Sequence, residues 1–179
     1  MDTNHRRGVT LLEMLAYLTI MAMMLGFFVV MSGVVTHKMD DAETGTEINN
    51  IVSFEHQRYA PLMSYSGMYN DTQNYSNRFT GFPAQYWDSA NHMIVDAYDN
   101  IVQVHSDTFN NASVFYIKLN HLAPHTCSYL ASIDYGSGMV RESINGSLFS
   151  RTSAQPIPNT ASVTQWCNVK DGTMSIWFR

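Results

Sequence analysis

Gly8-Val9-Thr10-Leu11-Leu12-Glu13, running on into MLAYLTIMAMMLGFFVVMSGVV at residues 14–35, is the stretch that decides how this chain is read. From Met14 to Val35 there are 22 residues without a charge. At about 1.5 Å per residue, a helix of that length crosses the hydrocarbon core of a bilayer. Arg6 and Arg7 stand before it, so the positive-inside rule keeps the start of the chain in the cytoplasm and carries the residues beyond Lys38 across the membrane. A secretory signal peptide fits badly, because the apolar run is long and no A-x-A site succeeds it. A plain signal anchor fits the hydrophobicity but leaves Glu13 unexplained.

Glu13 lies at the cytoplasmic edge of the span with apolar residues on both sides. A carboxylate there is costly unless it finds a partner. Two readings are open on charge placement alone: a functional acid, or an interfacial side chain that reaches the headgroups.

The residues from Gly8 to Glu13 resemble the type IV prepilin cleavage motif, in which a Gly closes a short basic leader and a Glu stands fifth in the mature chain. The family usually begins with Phe or Met, and Val9 stands first here. The resemblance implies that a prepilin peptidase cuts between Gly8 and Val9 and N-methylates Val9. It also implies that Glu13 of one subunit meets the Val9 amine of its neighbour, and that these helices pack together as a filament core. Gly26 and Gly33 interrupt the span. They serve either close helix approach or a local loosening of the helix, at about 1 kcal/mol each relative to Ala. The methionines among them read as adaptable packing residues.

Beyond the span, Ile48, Ile51, Val52 and Tyr59 recur at helical spacing. The helix is therefore expected to run to Tyr59 and to end at Pro61. Residues 62–92 read as a Ser-, Asn- and Tyr-rich loop whose aromatics clamp it to the helix or, as the alternative, bind a surface or a neighbouring subunit. Strands are expected at Met93–Val95 and Ile101–His105 around an Asp99-Asn100 turn, at Val114–Leu119, at Gly138–Ile144 before an Asn145-Gly146 turn, and at Thr173–Phe178. Pro124 opens a short helix that carries Cys127 and Tyr129–Ile133. Residues 150–165 read as a polar loop.

Cys127 and Cys167 form a disulfide if this half lies outside the cytoplasm, and are otherwise two free core thiols. The segments FYIKLNHLAPHTCSYLASI and ASVTQWCNVKDGTMSIWF look like the type IVb thin-pilus pilins. That likeness implies a Cys127–Cys167 pair. It also implies an α+β pilin fold, with a long N-terminal helix packed on a C-terminal antiparallel sheet. The chain then divides into a leader at 1–8, a transmembrane and filament-core helix at 9–36 and a globular head at 37–179. The implied partners are other pilin subunits, the prepilin peptidase and an inner-membrane assembly platform. The implied location is the bacterial inner membrane with a periplasmic head, then the extracellular pilus. The short leader leans toward a minor subunit.

Composition narrows the alternatives. Charged residues make up only 14% against 45% hydrophobic, and the net charge of −5 offers no basic field for nucleic acid. His121, His125 and Cys127 have zinc-like spacing, but Pro124 interrupts any shared face. Asp99 with His105 lacks a nucleophile motif nearby. The Asn-x-Ser/Thr sequons at Asn70, Asn74, Asn111 and Asn145 reflect composition. No catalytic residue, metal site or cofactor is implied. A pseudopilin of a type II secretion system and a non-polymerising signal-anchored periplasmic protein remain as competing readings.

Overall fold

The computed structural model describes residues 11–59, 62, 64–65, 68, 86–88, 90–91, 93–152, 154–155 and 157–179. Gly8, Val9, Pro61 and most of the expected 62–92 loop lie outside them. The chain divides into two compact units, Met1–Met39 and Asp40–Arg179.

Helix α1 runs from Leu11 to Tyr59, 49 residues in all. Through residue 39 its side chains are exposed, and a buried face begins at Asp41. Polar groups inside the apolar stretch satisfy themselves locally. Thr19 Oγ1 donates to the Ala16 carbonyl, Ser32 Oγ to Val29 and Thr36 Oγ1 to Ser32, each at 2.9 Å. A helix that solves its own hydrogen bonding in this way can sit in lipid. The helix is continuous through Gly26 and Gly33.

From Asp41 to Tyr59 the helix buries Thr44, Gly45, Ile48, Ile51 and Tyr59 on one stripe. Gly45 allows close approach: a Cβ there would lie 2.9 Å from Ile133 Cδ1. The stripe packs on a seven-stranded sheet. Its strands are β1 (Trp87–Asp88), β2 (Met93–Val95), β3 (Ile101–Phe109), β4 (Ala112–Leu122), β5 (Met139–Ile144), β6 (Ser147–Ser150) and β7 (Gly172–Phe178). They are ordered β1-β2-β3-β4-β7-β5-β6, and all pairings are antiparallel. The last strand thus enters the middle of the sheet.

Register sorts the two faces. Val104, Ile117, Ile176 and Glu142 form one cross-strand row, and all four are buried. His105, Tyr116, Trp177 and Arg141 form the next row on the opposite face. There the rings of His105 and Tyr116 stack at 5.1 Å, those of Tyr116 and Trp177 lie 5.2 Å apart, and Arg141 lies 4.9 Å over Trp177. Such cross-strand pairs add a few tenths to about 1 kcal/mol each.

Turns obey their residue chemistry. Asn110-Asn111 and Asn145-Gly146 both adopt positive φ, which two-residue hairpins need. The Asp99-Asn100 turn joins β2 and β3 as expected, with Asp99 at φ 61. Helix α2 spans Pro124–Ala131. It stops before the expected Ile133, where the backbone tightens to i→i−3 bonds: the Ser132 amide donates to the Tyr129 carbonyl at 3.0 Å and the Ile133 amide to the Leu130 carbonyl at 3.2 Å. A second correction concerns residues 150–165. They begin at the end of β6 and contain most of a third helix, α3, at Thr160–Trp166. Asn159 caps α3 by accepting from the Ser162 amide at 2.8 Å. Trp87–Asp88 is likewise a strand within the expected loop. Tyr65, one of the aromatics expected to clamp that loop, is buried against Tyr59 at 5.7 Å and Phe115 at 4.8 Å.

Candidate functional site

Two places concentrate what the chain can do: the apolar helix of the first unit, and the acid-bearing face of α1 inside the second.

In the first unit, the large apolar side chains between Leu11 and Met39 stand exposed, Leu11 and Leu12 at 80%. By length and composition this is a helix able to cross a membrane. Glu13 sits in its first turn, where the helix dipole favours an acid, and it too is exposed. It is the one acid before Asp40 in this helix. A surface of this size, apolar all round, demands cover from lipid or from other helices.

In the second unit, Cys127 in α2 and Cys167 at the C-cap of α3 form a disulfide, with their Cα atoms 5.6 Å apart. Both are buried. The bond ties α3 and the approach to β7 to the core, and it removes Cys127 as a zinc ligand. His121 occupies a positive-φ position, φ 56. Among the described residues no group of three His, Cys, Asp or Glu could hold a metal ion. Asp99 lies in its turn and His105 on the outer face of the sheet against Tyr116.

The head's interior carries acids that sequence reasoning missed. Glu47, Glu55, Asp96 and Glu142 are all buried. Burial pushes Glu47 up to about 9, with the charges of Asp96 and Glu43 adding to it. Burial also raises Glu142 to about 8 and Glu55 to about 7, the latter against the pull of Arg58. Each holds its proton where an exposed Glu has lost it. Asp96 is the contrasting case. Burial raises it, but the backbone amides of Asn100 and Tyr98 donate to its Oδ1 at 2.8 and 2.9 Å and pull the other way. Tyr98 in turn donates its hydroxyl to Asp41 Oδ1 at 2.7 Å. The available signal for Glu47 and Glu55 is positional, because both fall on the stripe of Ile48, Ile51 and Tyr59.

Comparison with known proteins adds two family matches. Residues 36–174 match the family model described as Bundlin. Residues 3–29 match the one described as the prokaryotic N-terminal methylation motif. No curated protein sequence matches the chain. Among solved structures, the chain is similar to the crystal structure of TcpA, a type IV pilin from Vibrio cholerae El Tor biotype. The TM-score is 0.53 at 14% identity, covering 79% of this chain and 99% of that one.

Proposed function

The chain belongs to the Bundlin family and has the fold of a type IV pilin, and from that premise we propose that it is a structural subunit, major or minor, of a type IVb-like pilus. Pilins are structural subunits that assemble with one another, not enzymes. In the proposed course, prepilin peptidase removes residues 1–8 by cutting after Gly8 and N-methylates Val9. Residues 9–36 hold the subunit in the inner membrane with its head, 37–179, in the periplasm. An inner-membrane platform then moves the subunit into the fibre.

The observation that carries this reading is Glu13, an acid in the first turn of a helix whose next 22 residues carry no charge. Cleavage creates a cationic amine four residues before it. Inside a bundle of apolar helices, that amine and the Glu13 carboxylate of a neighbour neutralise each other and fix the axial register. The uncut chain has no amine at Val9, so processing would license assembly.

Mass spectrometry of the mature chain tests the reading. The expected result is an N-terminal, N-methylated Val9. A retained Met1 would overturn it in favour of a signal anchor. Shearing cells should release the protein with filaments, whereas retention in the envelope would favour the pseudopilin. Copy number in the sheared filaments separates a major from a minor subunit.

A further inference from the structure

Asn145-Gly146 is the one Asn-Gly step in the chain. Such a step is chemically labile, because glycine puts no side chain in the way of its own amide as that nitrogen attacks the preceding asparagine. The Gly146 amide gives its proton to solvent base, and its nitrogen bonds to Asn145 Cγ. The Cγ–Nδ2 bond breaks and ammonia leaves. Water then opens the cyclic imide at either carbonyl and leaves aspartate or isoaspartate.

In the folded head the Asn145 side chain is committed to other partners. Its Nδ2 donates to the Trp166 carbonyl at 2.6 Å, and its Oδ1 accepts from the Thr173 amide at 2.7 Å. The Asn145 backbone amide donates to the Thr173 carbonyl at 2.9 Å. Gly172 packs against the same group: a Cβ there would lie 3.2 Å from both Nδ2 and Oδ1. Closing the imide ring turns Cγ onto its own backbone and breaks these side-chain bonds.

We propose that Asn145-Gly146 is a deamidation site gated by the fold, closed while Asn145 clasps α3 to β7 and open to conversion once that clasp parts. This goes beyond the pilin assignment and does not depend on it.

Conversion is not undone when the head closes again, since the ammonia has left. A carboxylate is an acceptor only. It can still take the Thr173 amide, but it sets an oxygen against the Trp166 carbonyl, where the asparagine amide donated. Isoaspartate adds a carbon to the backbone of a two-residue turn whose φ values are 49 at Asn145 and 84 at Gly146, and the twist of such a turn depends on its length. The disulfide guards the gate. Trp166 directly precedes Cys167, the C-cap of α3, which is bonded to Cys127 in α2. Reduction frees the residue next to the acceptor carbonyl and so opens the clasp short of full unfolding.

Peptide mapping by mass spectrometry, following the amide-to-acid conversion in the full chain at neutral pH, tests the gate. The chain is compared native in non-denaturing micelles and unfolded in guanidinium chloride. In the unfolded chain Asn145 should convert first among the asparagines. In the native chain it should convert at least about thirtyfold more slowly, the factor that two hydrogen bonds of ordinary strength impose on opening. Reducing the disulfide should speed the native reaction and leave the unfolded one unchanged. Equal rates in native and unfolded chains would overturn the gate, and another asparagine converting ahead of Asn145 in denaturant would overturn the site. A native rate insensitive to reduction would overturn the route through Cys167. Asn145→Asp should unfold at lower urea than wild type, and equal midpoints would overturn the lasting damage to the clasp. The wild-type kinetics decide the gate even should Asn145→Asp fail to fold.

Discussion

Asn145 Nδ2 donates to the Trp166 carbonyl at 2.6 Å, across 21 positions of chain. The same side chain accepts from the Thr173 amide through Oδ1 at 2.7 Å. One residue thus ties the β5–β6 turn to the end of α3 and to the start of β7. Its φ of 49 places it in the left-handed region, which Asn tolerates better than most residues.

Asn145→Ala should lower the stability of the head by about 2–3 kcal/mol. Two hydrogen bonds contribute about 1 kcal/mol each, and the left-handed backbone adds about 1 kcal/mol for a residue with Cβ and no side-chain acceptor. Asn145→Gly should cost less, since it removes the bonds and keeps the backbone conformation accessible. Urea midpoints of the two variants separate the contributions.

Reducing Cys127–Cys167 should destabilise the head. The closed loop spans 40 positions, and constraint of the unfolded chain by such a loop is worth about 4 kcal/mol in the entropic model. Thermal unfolding with and without reductant measures it. An unchanged midpoint would show that the core holds the α2–α3 contact by itself.

Stability should fall as pH rises above the ordinary carboxylate range. Glu142 titrates near 4.5 when exposed in the unfolded chain and at about 8 in the folded head. Its stabilising contribution is complete below the unfolded value, shrinks as pH climbs toward the folded value, and is gone above it. Glu142→Gln should make the stability–pH curve shallower by up to about 1.4 kcal/mol per pH unit across that window. Denaturant unfolding at a series of pH values reads this directly, and parallel curves for the two proteins would refute it.

Glu13→Leu should leave cleavage after Gly8 intact while removing the subunit from fibres. Stranding a neighbour's buried amine costs roughly 3–5 kcal/mol. The readouts are the mature mass in the membrane and the amount released by shearing. Equal release by wild type and variant would remove the electrostatic docking role given to Glu13.

Much of this architecture is legible in the residues. The helix reaches Tyr59, in line with the spacing of Ile48, Ile51 and Tyr59, and the β7 alternation of Met174, Ile176 and Phe178 marks a half-buried strand. Helix α3 is the clearest miss. Pro156 and Pro158 suggest a loop throughout, yet Asn159 before Thr160 is a capping signal. The buried acids are hidden for a different reason. A Glu on a helix normally marks the wet side, and that expectation outweighs the positional hint that Glu47 and Glu55 share the buried stripe of Ile48, Ile51 and Tyr59. At the candidate assembly site, Glu13 stands out because a lone acid in an apolar run has no cheap explanation. The partner proposed for it, the Val9 amine of a neighbouring subunit, lies outside the described residues.

Among the described residues, the sheet's two margins are β1, two residues long, and β6, four residues long. Open margins invite backbone stitching between molecules when many copies crowd together, and short ones offer little purchase for it. A protein destined for such crowding therefore keeps its lateral adhesion weak where it would be indiscriminate. In the proposed fibre, copies would stay free to slide past one another until their greasy stems reach a common stagger.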